Sequence, residues 1–341
     1  MKKPPILVLV SGLFLLAGQS FAQQFNYTSI DVPCSPAPPT KCVGGIAKQT
    51  VASGINPAGD IVGSYLDGVG KQHGFLLSDG QFTTIDVPGE LAGAAGTLPT
   101  SANGINPGGT IVGNYTVPVS SAPEDSPAYC PAASAACIKG FVYRHGKFST
   151  VLFPGHPGAV PQRITPDGDI YGCLHDFDLM GSMFGAAWTR FGDVSLTTSG
   201  GELADASQSM PMSMNNGAAP GGNVIVGLWN DMMTGNRHGF VVRDGAFQSY
   251  DVDNSSLTAI WDMNPSQQFV GTYVDKNTGR RHGFLQLPDG SAPINVDFPP
   301  PNPTLFFPTI AFGINPDGVI VGQYSAGGRI HGFVAVPATS N

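Results

Sequence analysis

Residues 54–65 read Gly-Ile-Asn-Pro-Ala-Gly-Asp-Ile-Val-Gly-Ser-Tyr. After a short loop, residues 73–89 continue as His-Gly-Phe-Leu-Leu-Ser-Asp-Gly-Gln-Phe-Thr-Thr-Ile-Asp-Val-Pro-Gly. Versions of both segments recur from one end of the chain to the other. A motif that returns at a fixed period indicates a repeat architecture, in which each copy is one structural unit.

The apolar residue of the Gly-Ile-Asn segment marks six repeats, whose anchors lie 50, 59, 50, 49 and 51 residues apart. We number them repeats 1 to 6, with the anchors Ile55, Ile105, Ile164, Met214, Met263 and Ile314. Each repeat holds short apolar segments separated by Asn-Pro-x-Gly and Asp-Gly, which favour tight turns between antiparallel strands. Four such strands per repeat predict an all-β fold, a six-bladed β-propeller with four-stranded antiparallel blades.

The two ends of the chain complement each other. Repeat 6 stops after its His-Gly-Phe segment and lacks a fourth strand, while Phe25–Pro33 repeats the sequence of that missing strand. We therefore predict that the N-terminal strand completes the last blade. Closing the ring in this way would cover two strand edges that are otherwise prone to association.

The N-terminus has the features of a signal peptide. Lys2 and Lys3 precede a short apolar run and the small-residue site Ser20-Phe21-Ala22, so we predict cleavage after Ala22 and export to the periplasm or the medium. Residues 1–22 would be removed, leaving one propeller domain over residues 23–341. We expect no membrane span, because no later segment is long and apolar enough.

The charge of the mature chain excludes several partners. Without the two signal lysines, 14 basic residues stand against 24 acidic ones, a net charge of −10. Such a chain repels nucleic acids and anionic lipids. We expect a monomer whose partner is an extracellular glycan or protein, and no cofactor.

The five cysteines suit an oxidising compartment. Cys34 and Cys42 share one proline-rich loop, and Cys130 and Cys137 share another, so we predict two local disulfides. Cys173 lies in a strand pattern, where a buried inert thiol is more common than a nucleophile.

The Asp-Gly turns of repeats 1, 4 and 5 fix the register of the last hairpin in these repeats. With Asp79-Gly80 as a two-residue turn, His73 lies opposite Asp86. Oppositely charged residues across a ladder contribute roughly 0.2–1 kcal/mol, so we interpret the recurring histidines as structural pairs and not as a ring of metal ligands. The same arithmetic pairs His238 with Asp251 and His282 with Asp297. By analogy, His331 should face Asp31 of the N-terminal strand. Repeat 2 has Lys139 facing Leu152, and repeat 3 has Ala186-Ala187-Trp188 in place of the motif.

The combined motif of Gly-Ile-Asn-Pro-x-Gly, Ile-Val-Gly-x-Tyr, His-Gly-Phe and Ile-Asp-Val-Pro-Gly resembles the bacterial extracellular repeat proteins of the HAF family, which are called after a His-Ala-Phe signature. Here glycine replaces the alanine of that signature, at His73, His238, His282 and His331. The resemblance covers nearly all of the mature chain. It implies an exported bacterial repeat protein and brings no catalytic residues.

The innermost strands should line the axis of the propeller, and their sequence changes there. The glycine before the anchor is kept in repeats 1, 2 and 6 and replaced by Arg163, Ser213 and Asp262 in repeats 3 to 5. On the face with the longer loops, we predict a ligand pocket formed by these residues together with Trp261, Asn103 and Gln162, roofed by His175 and Asp176. The alternative is an ion pair between Arg163 and Asp262 that plugs the channel without a ligand.

Enzyme motifs are absent from the sequence: it contains no Gly-x-Ser-x-Gly, His-Glu-x-x-His, P-loop or Cys-x-x-Cys. The aspartates of the loops after the second strands, Asp67, Asp231 and Asp275, suit turn capping better than calcium binding. We therefore predict a non-catalytic exported binding module, with no catalytic residue and no metal site. The alternatives are a glycan-directed hydrolase or lyase that uses loop carboxylates such as Asp176, Asp178 or Glu202, and a structural component of the envelope or matrix.

Overall fold

The computed structural model describes the following residues: 25–33, 45–120, 126, 129–130, 136–152, 156, 158–175, 183–189, 192–195, 209–214, 224–231 and 233–338. The predicted signal peptide, the predicted disulfide between Cys34 and Cys42, and Asp176 lie outside these residues.

Almost all regular structure in the described part is β-strand. A single turn of 3-10 helix spans Gly89–Ala92, and no described helix is long and apolar enough to cross a membrane. In chain order the strands are β1 (Phe25–Ile30), β2 (Gln49–Ile55), β3 (Ile61–Leu66), β4 (Gln72–Ser78), β5 (Gln81–Ile85), β6 (Thr100–Ile105), β7 (Ile111–Pro118), β8 (Ala136–Arg144), β9 (Lys147–Val151), β10 (Gly158–Ile164), β11 (Ile170–His175), β12 (Met183–Thr189), β13 (Gly192–Ser195), β14 (Ser209–Met214), β15 (Val224–Asn230), β16 (Arg237–Arg243), β17 (Ala246–Tyr250), β18 (Ser255–Met263), β19 (Phe269–Asp275), β20 (Arg281–Gln286), β21 (Ile294–Asn295), β22 (Thr309–Ile314), β23 (Ile320–Ala326) and β24 (Arg329–Pro337).

The strands form antiparallel sheets of consecutive strands. Four sheets hold β6–β9, β10–β13, β14–β17 and β18–β21. An eight-stranded sheet holds β2–β5, β22–β24 and β1, and its two halves meet at one parallel bridge between Gln49 and Ile330. The first strand of each repeat contacts that of the next repeat, and β22 contacts β2. The chain therefore has an all-β, propeller-like arrangement, in which these first strands are innermost.

The N-terminal strand β1 lies against the last strand of the chain. It pairs antiparallel with β24, from Phe25 opposite Pro337 to Ile30 opposite Gly332. The ring of Tyr27 packs 5.8 Å from that of Phe298 and 6.1 Å from that of Phe333, centroid to centroid. The N-terminal strand thus pairs with the last strand of repeat 6.

The second strand of five repeats contains a Val-Gly pair, and close packing explains why the second residue of the pair is glycine. A Cβ atom at Gly63 would lie 1.9 Å from the carbonyl oxygen of Val51 and 2.7 Å from the ring of Phe75. The other repeats with a phenylalanine at this place show the same contact, at Gly113, Gly227, Gly271 and Gly322. The phenylalanine of His-Gly-Phe therefore lies directly over the glycine of the neighbouring strand, and a side chain there would force the strands apart.

The Asn-Pro turns tie neighbouring repeats together. The Oδ1 atom of Asn56 accepts a hydrogen bond from the backbone N–H of Asp60 at 2.9 Å, which closes the turn. In repeat 5, Nδ2 of Asn264 donates to the carbonyl oxygen of Asn315, in repeat 6, at 3.1 Å. The buried asparagine thus satisfies its own turn and a backbone group of the next repeat.

The hairpin register places a histidine opposite an aspartate in four repeats. In repeat 1, Gly74 pairs with Ile85, and His73 Nδ1 lies 2.7 Å from Asp86 Oδ2. The histidine ring also stacks on Tyr65, with 4.9 Å between the ring centres. The corresponding contacts elsewhere are His238 with Asp251 at 2.8 Å, His282 with Asp297 at 2.7 Å, and His331 with Asp31 at 3.0 Å.

Repeats 2 and 3 carry the cysteines of the described region. The predicted disulfide between Cys130 and Cys137 is confirmed, and it links the connection between β7 and β8 to the start of β8. Cys173 is fully buried in β11, and this burial raises the pKa of its thiol to about 12. At neutral pH the thiol stays protonated, which makes it a poor nucleophile.

Candidate functional site

A cavity of about 160 Å³ opens between the Asn-Pro turns of the innermost strands. Its rim is formed by five prolines: Pro57, Pro107, Pro166, Pro265 and Pro316. Its walls are formed by the six anchor residues of the repeats: Ile55, Ile105, Ile164, Met214, Met263 and Ile314. Arg163, Ser213 and Asp262 lie at the deep end. We call this space the central cavity, since the first strand of every repeat contributes to it.

Every innermost strand contains a β-bulge two residues before its anchor. The register shifts at Ser53, Asn103, Gln162, Met212, Trp261 and Phe312. A bulge leaves one residue out of the ladder and changes the direction of its backbone groups. In four repeats the carbonyl oxygen of the bulged residue accepts a hydrogen bond from Arg163.

Arg163 is bonded to the backbone of four repeats. Its Nη1 atom donates to the carbonyl oxygens of Asn103 and Gln162, both at 2.8 Å. Its Nη2 atom donates to the carbonyl oxygen of Ser53 at 2.9 Å and to that of Phe312. A guanidinium has five N–H groups, so four of them are used by the backbone.

The remaining nitrogen of Arg163 faces Asp262. Arg163 Nε lies 3.2 Å from Asp262 Oδ2, and the side chains are only 11% and 9% exposed. The N–H of Nε is not directed at that oxygen and has no hydrogen-bond partner among the described residues, so this contact is an ion pair without a hydrogen bond. Asp262 is held instead by the backbone N–H groups of Met263, at 2.9 Å, and Ile314, at 3.1 Å.

The glycines of repeats 1 and 2 leave room for this arrangement. A Cβ atom at Gly54 would lie 2.9 Å from the carbonyl oxygen of Asn103, and one at Gly104 would lie 2.7 Å from that of Gln162. Both oxygens are acceptors of Arg163. Larger residues would push the inner strands apart at the point where they bind the guanidinium.

The other residues that we predicted for the pocket lie elsewhere or are described only in part. Asn103, Gln162 and Trp261 are bulged residues and are not among the described residues that line the central cavity. Asn103 Nδ2 donates to the carbonyl oxygen of Pro161 at 2.8 Å, and the ring of Trp261 lies edge-on to that of Phe312 at 5.1 Å. His175 ends β11, and Asp176 lies outside the described residues.

The position of the cavity differs from the sequence-based expectation. It opens among the tight turns between the first and second strands, whereas we expected the pocket among the longer loops between the second and third strands. Each proline of its rim directly follows a buried asparagine or, in repeat 3, the buried Thr165. A proline at the same place in successive turns is the signal that could have located this rim, but turn formation alone already explains such a residue.

The loop aspartates act as turn caps. Asp67 Oδ1 accepts hydrogen bonds from the backbone N–H groups of Val69, at 3.0 Å, and Lys71, at 2.8 Å. Asp275 does the same for its own loop, and hydrogen bonds from Thr278 lower the pKa of its carboxyl. In the described ranges, no group of three or more histidine, cysteine, aspartate or glutamate side chains is placed to hold a metal ion.

No protein-family model and no curated protein matches the chain. Among solved structures, it is similar to a protein of unknown function from Dyadobacter fermentans, with a TM-score of 0.50 and 11% identity over 92% of this chain and 99% of that one. It is also similar to a Trypanosoma rangeli sialidase in complex with sialic acid, with a TM-score of 0.47 and 10% identity over 91% of this chain and 58% of that one.

A third similar structure is the fungal Aleuria aurantia lectin, which is described as a six-bladed β-propeller with a novel fucose recognition mode. The TM-score is 0.46, with 12% identity over 89% of this chain and 99% of the lectin. The chain spans about 58% of the length of the sialidase structures that it matches. At these low identities the similarity concerns the fold alone, which is all-β and propeller-like.

Proposed function

We propose that the chain is a six-bladed β-propeller closed by its N-terminal strand, and that it acts as an exported, non-catalytic binding module for an extracellular glycan or protein. The contact between β2 and β22 supports a closed ring. The pairing of β1 with β24 supports closure through the N-terminus. A closed ring leaves no long inner edge unpaired, so it forms a rigid scaffold for a central site.

Export is supported by the disulfide between Cys130 and Cys137. Disulfides of this kind persist in oxidising compartments and are rare in the cytosol. We therefore retain the proposal that the first 22 residues are a signal peptide and that cleavage follows Ala22.

The binding proposal rests on one observation, the presence of the central cavity. It is concave and open, and it is formed jointly by the innermost strands of all repeats. Binding sites for small groups are commonly preformed, mostly apolar recesses of this type. Four N–H groups of Arg163 are already used by backbone carbonyls, so we assign Arg163 and Asp262 to the floor of the site and the prolines and anchors to the contact with the ligand.

We retain a second, loop-side part of the site as a proposal, formed by Asn103, Gln162 and Trp261 with His175 and Asp176. Trp261 supports it, because its indole Nε1 is buried and has no hydrogen-bond partner within the described residues. A ligand acceptor would satisfy that donor if the partly buried indole turns toward it on binding.

The proposal can be tested by closing the rim of the central cavity. Pro57 lines the rim, whereas the neighbouring Ala58 is exposed and does not line it. Pro57→Trp should therefore block the cavity, and Ala58→Trp serves as a control with the same added bulk in the same turn. The wild type is screened on a glycan array and on an array of peptides.

The proposal predicts that Pro57→Trp weakens binding of at least one ligand by tenfold or more, while Ala58→Trp does not. For the loop-side part, Trp261→Ala is compared with the wild type in the same screen. Ligands that bind the wild type, Pro57→Trp and Trp261→Ala equally well would contradict the proposed site.

A further inference from the structure

We infer that the central cavity receives one aromatic side chain from a basic segment of a partner protein. This inference rests on the proposed binding function and narrows its ligand from a glycan or protein to a peptide of stated chemistry. Three features carry it: the volume of the cavity, the chemistry of its walls, and the charge of the turns around its mouth.

The volume fits a single ring. The cavity measures about 160 Å³, and an apolar cavity of about 150 Å³ is known to take up one benzene molecule. Phenylalanine, tyrosine and tryptophan present a ring of this size at the end of a short stem. An oligosaccharide would have to remain outside, with at most one sugar ring inserted.

The walls favour an apolar ring over a sugar ring. The prolines of the rim and the isoleucines and methionines of the wall offer no side-chain hydrogen-bond donor. The cavity is also lined by the polar residues Asn56, Thr165, Ser213 and Asn264, but the amides of Asn56 and Asn264 already donate to neighbouring groups of the turns and the Ser213 hydroxyl to the carbonyl oxygen of Met263. At the floor, the carboxylate of Asp262 already accepts hydrogen bonds from Met263 and Ile314. Each sugar hydroxyl buried without a partner would cost roughly 1–3 kcal/mol, whereas an aromatic ring gains from contact with apolar walls.

The turns around the mouth are acidic. The five described Asn-Pro and Thr-Pro turns span residues 56–60, 106–110, 165–169, 264–268 and 315–319, and they contain no lysine or arginine. Their charged residues are Asp60, Asp167, Asp169 and Asp317. An acidic rim around an apolar recess attracts a ring that is flanked by lysine or arginine, and it disfavours one flanked by carboxylates.

The probes are three fluorescein-labelled peptides that differ in one feature each. The first places one tryptophan between two pairs of lysines, with glycine spacers. The second replaces the tryptophan by serine, and the third replaces the lysines by glutamates. Dissociation constants are measured by fluorescence anisotropy with the full mature chain, at low salt and at about 0.15 M salt, where the Debye length is about 8 Å.

We expect the basic tryptophan peptide to bind roughly tenfold tighter than the serine peptide, as the burial of one aromatic side chain implies. Pro57→Trp should abolish this preference and Ala58→Trp should preserve it. Asp317→Asn should weaken the basic peptide at low salt, whereas Asp244→Asn, at the exposed tip of the β16–β17 hairpin, should not.

The inference is overturned if the tryptophan and serine peptides bind the wild type equally, or if Pro57→Trp keeps the tryptophan preference. A glycan whose binding is lost in Pro57→Trp, together with no binding of these peptides, would overturn the inference and leave the proposed function intact. If no glycan or peptide is sensitive to Pro57→Trp or to Trp261→Ala, the proposed function fails as well.

Discussion

Arg163 Nε lies 3.2 Å from Asp262 Oδ2, and the two residues belong to the innermost strands of repeats 3 and 5. The same guanidinium binds backbone carbonyls of repeats 1, 2, 3 and 6. One side chain therefore connects the innermost strands of five repeats at a single point. Since both charged groups are buried, each depends on the other for compensation of its charge.

Loss of the guanidinium should destabilise the whole fold. Arg163→Met would leave the carboxylate of Asp262 buried without its counter-ion and four carbonyl oxygens without their donor. Removing one member of a buried ion pair typically costs about 3–5 kcal/mol. We expect a decrease of this size in the free energy of unfolding, measured by urea denaturation of the mature chain.

A second variant separates the ion pair from the backbone bonds of Arg163. Asp262→Asn combined with Arg163→Met should be less destabilised than the sum of the two single variants, because the buried unpaired charge is then absent. Arg243→Met is the control, since Arg243 is an exposed arginine of β16, and it should change stability by less than about 0.5 kcal/mol. A loss in Arg163→Met no larger than in this control would contradict the role assigned to Arg163.

The sequence predicted the pairing of strands within the sheets well, but it predicted only part of the arrangement around Arg163. Alternating side chains and Asp-Gly turns determine a hairpin register, and the predicted alignment of His73 with Asp86 is the one observed. Arg163 and Asp262 could be identified because they replace a repeated glycine. The bulges that direct the carbonyls of Asn103 and Gln162 toward Arg163 could not, because a bulge depends on the relative position of two strands and has no specific side-chain signature.

The pairing of β1 with β24 should depend on Tyr27. Burial raises the pKa of its hydroxyl above the ordinary range, and its ring packs on Phe298 and Phe333. Tyr27→Ala should therefore cost roughly 2–3 kcal/mol in the free energy of unfolding.

The matched control for Tyr27 is Thr28→Ala, whose side chain is exposed on the opposite face of β1. It should cost less than about 0.5 kcal/mol. Hydrogen exchange of the β24 amides gives a second measurement, since only Tyr27→Ala should increase their rate. Equal stability of both variants would argue against closure by β1.

The contribution of His73 to stability should depend on pH. The hydrogen bond that His73 donates to Asp86, assisted by the charge of Asp86 and the nearby Asp67, raises the pKa of the imidazole despite its partial burial. A histidine with a raised pKa in the folded state stabilises the protein fully below its unfolded pKa of about 6.5. This contribution is lost as the pH rises through the folded value.

The measurement for His73 compares the wild type with His73→Gln in urea at several pH values. The stability difference should be largest near pH 5.5, at roughly 0.2–1 kcal/mol for the pair, and should decrease toward pH 8. His145→Asn is the control, because His145 is exposed at the tip of the β8–β9 turn with a φ of 50°, a conformation that asparagine tolerates. A difference for His73→Gln that is constant or grows with pH would refute this assignment.

Lys139 stands in repeat 2 at the place of the histidines, and its side chain is only 1% exposed. Desolvation lowers the pKa of its ammonium group from 10.5 to about 8, although the ring of Tyr129 lies 5.9 Å from Nζ and offers a cation–π contact. Near pH 7 the ammonium group of Lys139 is still charged in the folded protein, although its charge would be more stable in water. We expect Lys139→Met to be more stable than the wild type there, because methionine carries no charge that folding must remove from water.

The pH dependence of stability distinguishes removal of a buried charge from the gain that any larger apolar contact in Lys139→Met would bring. Between about pH 8 and pH 10.5, unfolded chains bind a proton at Lys139 that folded chains do not, so the stability of the wild type rises with pH and the advantage of Lys139→Met should shrink. Lys147→Met, at an exposed position of β9, should show no such trend when urea midpoints are compared across this range. An advantage of Lys139→Met that stays constant up to pH 10.5 would mean that Lys139 keeps an ordinary pKa in the folded protein, and that other groups compensate the charge despite its burial.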